Sequence, residues 1–276
     1  MFNLKFKKLF GFLGLFALIF TTLSGQSFAK KHPTYASKTC NGQIQVVIHA
    51  SYGGGTDTTA RMMSIRTRRT LNTDIQIVGK RGGSGAKAQN YTLTRPKDGC
   101  TIMALTESHL YTMARGKSNM KINDLVGVAR AMEEPTFVVV NAKNKELSTV
   151  KKMIKRAQKK PISVAIASIG GTEHIGMYSY SKAANIPFKA VSFGSGAQSL
   201  QALASGKVEA SLLNPSEAAA LIADKKIKAI VLLHDKALAD YPKVKTSYSM
   251  GHKVKVVTTR GLSLIHISEP TRPLYI

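Results

Sequence analysis

Residues 44–105 read IQVVIHASYGGGTDTTARMMSIRTRRTLNTDIQIVGKRGGSGAKAQNYTLTRPKDGCTIMAL, and the rhythm of this stretch decides the fold class. Ile44-Gln45-Val46-Val47-Ile48 is a β-branched run of strand length, and a second and third run occupy 75–78 and 101–105. Between the first two, Gly53-Gly54-Gly55-Thr56-Asp57 turns into a helical segment, 58–71. Between the second and third, Arg81-Gly82-Gly83-Ser84-Gly85 leads to a helix over 86–94, and Pro96-Lys97-Asp98-Gly99 makes a turn. This βαβαβ order implies a parallel sheet with right-handed crossovers.

The same alternation returns downstream. An apolar strand over 136–140 closes the first unit. A helix carrying Lys151, Lys152, Lys155, Arg156, Lys159 and Lys160 follows, ending at Pro161. Strands are expected at 162–167, 188–192, 208–213 and 227–233. Ser168-Ile169-Gly170-Gly171-Thr172 precedes a helix from Glu173. Phe193-Gly194-Ser195-Gly196 opens a helix ending at Leu203, and Asn214-Pro215 turns into one near Ser216. Two α/β units joined by extended strands predict two lobes with a cleft between them.

The N-terminus indicates export. Lys5, Lys7 and Lys8 precede a nearly continuous apolar run, 9–23, and Ser27-Phe28-Ala29 places small residues at a cleavage site. This is the pattern of a secretory signal peptide over 1–29, its apolar part shorter than the roughly 20 residues a membrane span needs. A periplasmic location follows as an expectation. The chain is basic, with 40 Lys+Arg against 15 Asp+Glu. The charge is scattered, with no aromatic residues interleaved for stacking, which argues against nucleic acid. In the densest run, Leu147, Val150, Ile154 and Ala157 recur at helical spacing, so the lysines form a solvated face. A positive field favours anionic ligands reaching a cleft.

Four polar or glycine-rich loops, 53–57, 106–108, 168–172 and 194–196, each join a strand to a helix. Open α/β sheets bind ligands at the carboxyl ends of strands. Free N–H groups at helix N-termini there suit a carboxylate or phosphate. One such loop is an ordinary turn; four across two units favour an anion-binding cleft. Signatures of catalysis are missing. The 53–58 loop fails G-x-G-x-x-G at its last position, and no P-loop, H-E-x-x-H or G-x-S-x-G occurs. The seven His have no metal-ligand spacing, and no cofactor is expected. Asp57 lacks an acid/base partner and suits a helix cap; His174 suits a cap or a ligand donor. Cys40 and Cys100 are too far apart in sequence for C-x-x-C chemistry, and an exported chain can oxidise them.

With these motifs in order, the chain resembles the extracytoplasmic solute receptors of tripartite tricarboxylate transporters, the Bug receptors, from about Ile44 to Gly261. Gly53-Gly54-Gly55-Thr56-Asp57 corresponds to the family's first glycine turn. Lys80-Arg81-Gly82-Gly83-Ser84-Gly85 is similar to N-R-x-G-x-x-G, and Pro96-Lys97-Asp98-Gly99-Cys100-Thr101 to P-D-G-Y-T. Phe137-Val138-Val139-Val140 matches the crossover strand. Ser168-Ile169-Gly170-Gly171-Thr172-Glu173-His174 resembles S-x-G-x-G-S-x-x-H. Phe193-Gly194 with Gly206-Lys207-Val208-Glu209 resembles Y-x-G with a later G-x-V-D, and Tyr241-Pro242-Lys243-Val244-Lys245-Thr246 resembles P-D-V-P-T. The chain departs from the family at His49-Ala50, Ser51-Tyr52, Lys80 and Asn214.

The resemblance implies an α/β, two-lobed type II periplasmic-binding-protein fold, with lobe one over 40–136 and lobe two over 137–253. It implies a non-enzymatic monomer that captures a small carboxylate and delivers it to membrane permease subunits. A receptor presenting ligand to a membrane sensor kinase is the alternative, and a secreted hydrolase a third reading. The implied ligand residues on lobe one are Tyr52, Gly54, Gly55, Thr56, Asp57 and Thr106. On lobe two they are Ser168, Gly171, Thr172, His174, Gly194 and Asn214. In the family fold the strands after Cys40 and Cys100 are parallel neighbours, so the resemblance implies a disulfide. Residues 262–276, from Leu262-Ser263-Leu264-Ile265-His266 onward, lack family likeness and read as translated sequencing-adapter DNA. They are expected to pack little, with lobe one incomplete, the second crossover strand stopping near Gly261, and one side of the 58–71 helix uncovered.

Overall fold

The computed structural model describes residues 38–265. The signal-peptide assignment and residues 266–276 lie outside them. In lobe one, β1 (Gln43–Ile48) pairs in parallel with β2 (Asp74–Gly79) and β3 (Thr101–Thr106). Helix α1 (Gly55–Leu71) connects β1 to β2, and α2 (Ala86–Leu93) connects β2 to β3. Asn72 ends α1 in a left-handed conformation, the usual stop for a helix entering a strand. After β3, α3 (Glu107–Ala114) begins with a capping box in which Thr106 and His109 satisfy each other's exposed groups.

Strand β4 (Leu125–Asn141) joins the lobes. Its first half pairs with β9 (Val257–Ile265) beside β3. Its second half pairs with β7 (Ala210–Leu213) and β8 (Ile227–Leu233). Beyond β7 lie β5 (Ile162–Ile166) and β6 (Phe188–Ser192), both parallel pairings. Helices α4 (Val150–Ala157), α5 (Thr172–Ala184), α6 (Gly196–Ala204) and α7 (Pro215–Ala223) make the connections. The α4 stripe Val150, Met153 and Ala157 is buried while its lysines face solvent, and Thr149 caps it by accepting from the Lys152 N–H.

The lobe-two sheet is covered on both faces. Val138, Val140, Ile162, Val164, Met177 and Tyr180 pack on one side, and Phe137, Val139, Ala165, Leu203 and Leu213 on the other. That two-sided burial is why its strands read as continuous apolar runs. Lobe one has a smaller core of Ile44, Val46, Ile48, Ala60, Ile75 and Ala104. Met62 and Ile65 on α1 stay exposed, at 65% and 58%. Cys40 and Cys100 form a disulfide with a Cα separation of 5.3 Å, at the amino ends of β1 and β3. Among the described residues, no helix is long and apolar enough to cross a membrane.

One expectation is corrected. The second crossover strand does not stop near Gly261: Leu262, Ser263, Leu264 and Ile265 complete β9, with Ser263 and Ile265 buried. The physical reason is local. The run alternates, suits a strand, and lies in a slot where β3 and β4 both offer unpaired backbone groups. The Ser263 hydroxyl is buried there without a partner.

Candidate functional site: a small cavity between the lobes

The loop ends at the carboxyl termini of β1, β3, β5 and β6 converge on one small cavity of about 40 Å³. Of the residues expected from sequence, Gly55, Thr56 and Thr106 line it from lobe one, and Ser168 and Thr172 from lobe two. Gly54 sits one step back, where a Cβ would press on Ser195 at 3.0 Å, and Gly171 is packed under Ser168 and Ser108. A larger groove of about 620 Å³ lies beside the cavity and shares Gly55, Glu217 and Arg260 with it. Its remaining wall is largely apolar, with Met62, Met63, Met132 and Leu200. The small cavity is the candidate site because the hydrogen-bonding groups of both lobes meet there.

Besides Gly54 and Gly171, five residues expected to touch ligand do not line the cavity. Tyr52 is 59% exposed, and its hydroxyl accepts from the Gly79 N–H at 2.9 Å. Asp57 orders its own loop, accepting from the Gly53 N–H at 2.8 Å and pairing with Arg61 at 3.0 Å. The His174 Nδ1 accepts from the Gly170 N–H at 2.9 Å and braces the 168–172 turn. Gly194, at φ +87°, supplies a left-handed turn that lets Arg81 and Gln198 approach. Asn214 caps α7, and its amide group donates to the Pro135 carbonyl at 3.0 Å and to Thr258 at 3.2 Å. Lys80 also points elsewhere, with its ammonium 4.1 Å from the Tyr91 ring centroid.

Lobe-to-lobe hydrogen bonds close the cavity. Ser108 accepts from the Thr172 N–H at 3.2 Å, at the N-terminus of α5. Ser51 donates to the Gln198 side chain at 3.1 Å, and Ser84 to the Ile169 carbonyl at 2.6 Å. At the centre is Arg260 on β9, only 5% exposed. It donates to Glu134 at 2.8 Å and to the Asn214 side chain at 2.9 Å, and Glu217 stands 3.8 Å away. Glu217 accepts from the Asn214 N–H at 3.2 Å and also from the N–H of Gly55 in lobe one. A carboxylate of the chain itself thus rests on the N-terminus of α1. A Cβ at Gly55 would come within 2.5 Å of the Arg260 guanidinium, so the position is restricted to glycine by close approach.

Glu173, Glu217, Thr258 and Arg260 carry much of this geometry, and no motif singled them out. A signal existed for Glu217, which stands three residues after Asn214 with Pro215 between, the spacing of a capping box. Arg260 interrupts a β-branched run, which marks a buried charge only once both flanking strands are known.

Burial raises the Glu173 carboxyl from the ordinary 4.5 to about 7; its own backbone N–H and Arg260 oppose the shift, while Glu217 and Glu107 add to it. Burial also lowers the His49 imidazole to about 4, aided by Arg260, so His49 is neutral at physiological pH. The unfolded chain releases the Glu173 proton before the folded chain does. Stability from this group is therefore full below about pH 4.5 and is lost as pH rises to about 7. Glu173→Gln is expected to melt higher than wild type near about pH 8 and to match it near about pH 4. Equal melting at the higher pH would contradict the buried-carboxyl assignment.

Known proteins share this architecture. The solved structure of MatC from Rhodopseudomonas palustris, with bound malate, superposes with a TM-score of 0.77 at 22% identity, over 83% of this chain and 80% of that one. Rpa4515 of the same organism, with adipate, gives a TM-score of 0.77 at 20% identity, over 83% and 79%. Protein BugT of Bordetella pertussis is 22% identical over 242 residues, covering 85% of this chain and 72% of the relative. The two solved structures show the same two-lobed periplasmic-binding fold. The profile of TctC, the tripartite tricarboxylate transporter family receptor, matches residues 59–267, and the chain belongs to that family of solute-binding receptors.

Proposed function

We propose that the chain is a periplasmic receptor that captures a small carboxylated metabolite and hands it to the membrane permease subunits of a tripartite tricarboxylate-type transporter. The observation that carries this reading is the convergence of Thr56, Thr106, Ser168 and Thr172, from loops of both lobes, on one partly open cavity. Such a site closes when the lobes rotate about the strands that join them. Binding energy then becomes a shape the permease can read. Malate and adipate in the solved family members support a carboxylate as the ligand class. The receptor acts by binding alone, as a monomer, after export directed by residues 1–29.

A bound ligand stabilises the folded state, by roughly 2.7 kcal/mol at a hundredfold excess over Kd. Thermal melts of the full chain against a panel of carboxylates and their matching amides test the reading. A carboxylate that raises the melting temperature, with an inert amide, supports it; a flat panel contradicts it. We read residues 262–276 as adapter-derived on their sequence, although the family match runs through residue 267. Resequencing the source gene through codon 262 tests that origin, and the same residues in the native frame would refute it.

A further inference from the structure

Lysines that the sequence spreads over three segments meet at one end of lobe two. Helix α4 exposes Lys151, Lys152 and Lys155, and Lys159 and Lys160 follow its last turn. The helix buries the opposite face, Val150, Met153 and Ala157, in the core. Two further turns add charge. Lys207 stands between α6 and β7, Lys225 and Lys226 between α7 and β8, and Lys228 on β8 itself. Hydrogen bonds join the segments. The Lys228 ammonium donates to the Ser148 carbonyl at 2.9 Å, and the Lys152 ammonium to the Ser148 hydroxyl at 3.2 Å. The Ala142 N–H donates to the Lys226 carbonyl at 3.0 Å, and the Asn141 side chain to the Leu203 carbonyl at 3.3 Å. This end holds the amino termini of β5, β7 and β8, so it lies away from the cleft, which forms at the carboxyl ends of strands.

Acidic residues here are few and already paired. Glu209 pairs with Arg156 at 2.7 Å, Glu146 approaches the same guanidinium at 3.6 Å, and Asp224 pairs with Lys226 at 3.3 Å. With Lys143 and Lys145 the end carries eleven lysines, all exposed, and ten of them form no ion pair among the described residues. The residue types select the partner. Lysine is a flexible point charge without fixed hydrogen-bonding geometry, which suits a fluid anionic layer. Nucleic acid is held by arginine and by aromatic stacking. Segments 142–161, 204–209 and 224–228 hold no aromatic residue, and Arg156, their single arginine, is committed to Glu209.

We propose that this end of lobe two docks on a bilayer containing anionic phospholipid, with the α4 lysines against the head groups. The proposal goes beyond the receptor reading and does not depend on which ligand the cleft takes. Attachment by this end leaves the cleft open to solvent.

The test is sedimentation of the secreted chain, freed of residues 1–29, with vesicles of phosphatidylglycerol mixed with phosphatidylcholine, and with vesicles of phosphatidylcholine alone. Binding is expected only to the anionic vesicles and is expected to vanish near about 1 M salt, where the screening length is about 3 Å. Each lysine near an anionic surface contributes roughly fivefold, so replacing Lys151, Lys155 and Lys159 together by glutamine is expected to weaken binding about a hundredfold. The same three positions changed to arginine are expected to bind like wild type, which separates charge from folding. A control triple in lobe one, Lys87→Gln, Lys97→Gln and Lys117→Gln, removes as much net charge from exposed positions and is expected to cost less than about threefold. Equal losses in the two glutamine triples overturn the proposal, as does binding that survives high salt or an absence of binding to anionic vesicles. Tighter binding to duplex DNA than to the vesicles, lost in the α4 triple, also overturns it by assigning the surface to nucleic acid.

Discussion

Arg260→Ala is expected to cost about 3–5 kcal/mol of folding stability, the range for removing one partner of a buried ion pair. Arg260 is 5% exposed, and Glu134 is nearly as enclosed. Alanine would strand Glu134, remove the donor to Asn214 and leave Glu217 without its nearest cation. For a chain of this size the loss corresponds to a melting temperature lower by roughly 10 °C. Arg260→Lys should recover only part of it, because one ammonium cannot reproduce two donors aimed at separate acceptors. Urea melts of the three proteins decide the matter. A loss below about 1 kcal/mol for R260A would place Arg260 outside the structural centre of the cleft.

The second large effect belongs to the disulfide. Cys40 and Cys100 are 60 residues apart in sequence, so their bond closes a loop containing β1, α1, β2 and α2. In the chain-entropy treatment a loop of that length is worth about 4 kcal/mol. Replacing both cysteines by serine is therefore expected to lower stability by that order, with the loss centred on lobe one. Lobe two has the larger two-sided core, so its amides should keep most of their protection from hydrogen exchange. Uniform loss of protection across both lobes would show that they unfold as a single unit and would contradict a local effect.

These effects fall on features of unequal legibility. The strand around Val164 was readable because a parallel strand covered on both faces is apolar throughout, those around Val46 and Ile77 by their β-branched residues, and α4 because its apolar stripe keeps helical spacing. The first half of β4 was not. Its Gly127, Arg130, Glu133, Glu134 and Pro135 resemble a linker, yet it pairs with β9 along its length. Strand pairing there is fixed by a partner more than a hundred residues away. The candidate site divides in the same way. Thr56, Thr106, Ser168 and Thr172 could be found because loops after strands face the cleft in α/β folds. Asn214 and Asp57 stand at helix starts, where a polar side chain serves a cap as readily as a ligand, and here each is engaged with its own loop or helix. Arg260 and its carboxylates could not be found, because a buried charge is recognisable only through partners that the fold supplies.

The tail shows the limit of reading by likeness. Leu262-Ser263-Leu264-Ile265 was expected to lack family likeness, yet the family match runs through residue 267 and the strand is formed, since alternation and an open slot suffice for pairing. The unpartnered Ser263 hydroxyl marks a position where the side chain does not match its surroundings.

The most direct measurement is a crystal structure of the chain with the carboxylate that raises its melting temperature most. The expected result places ligand oxygen atoms within about 3 Å of donors from both lobes, Thr56 on one side and Ser168 or Thr172 on the other. A ligand seated in the methionine-lined groove, or touching one lobe only, would contradict the assignment of the small cavity between the lobes as the binding site.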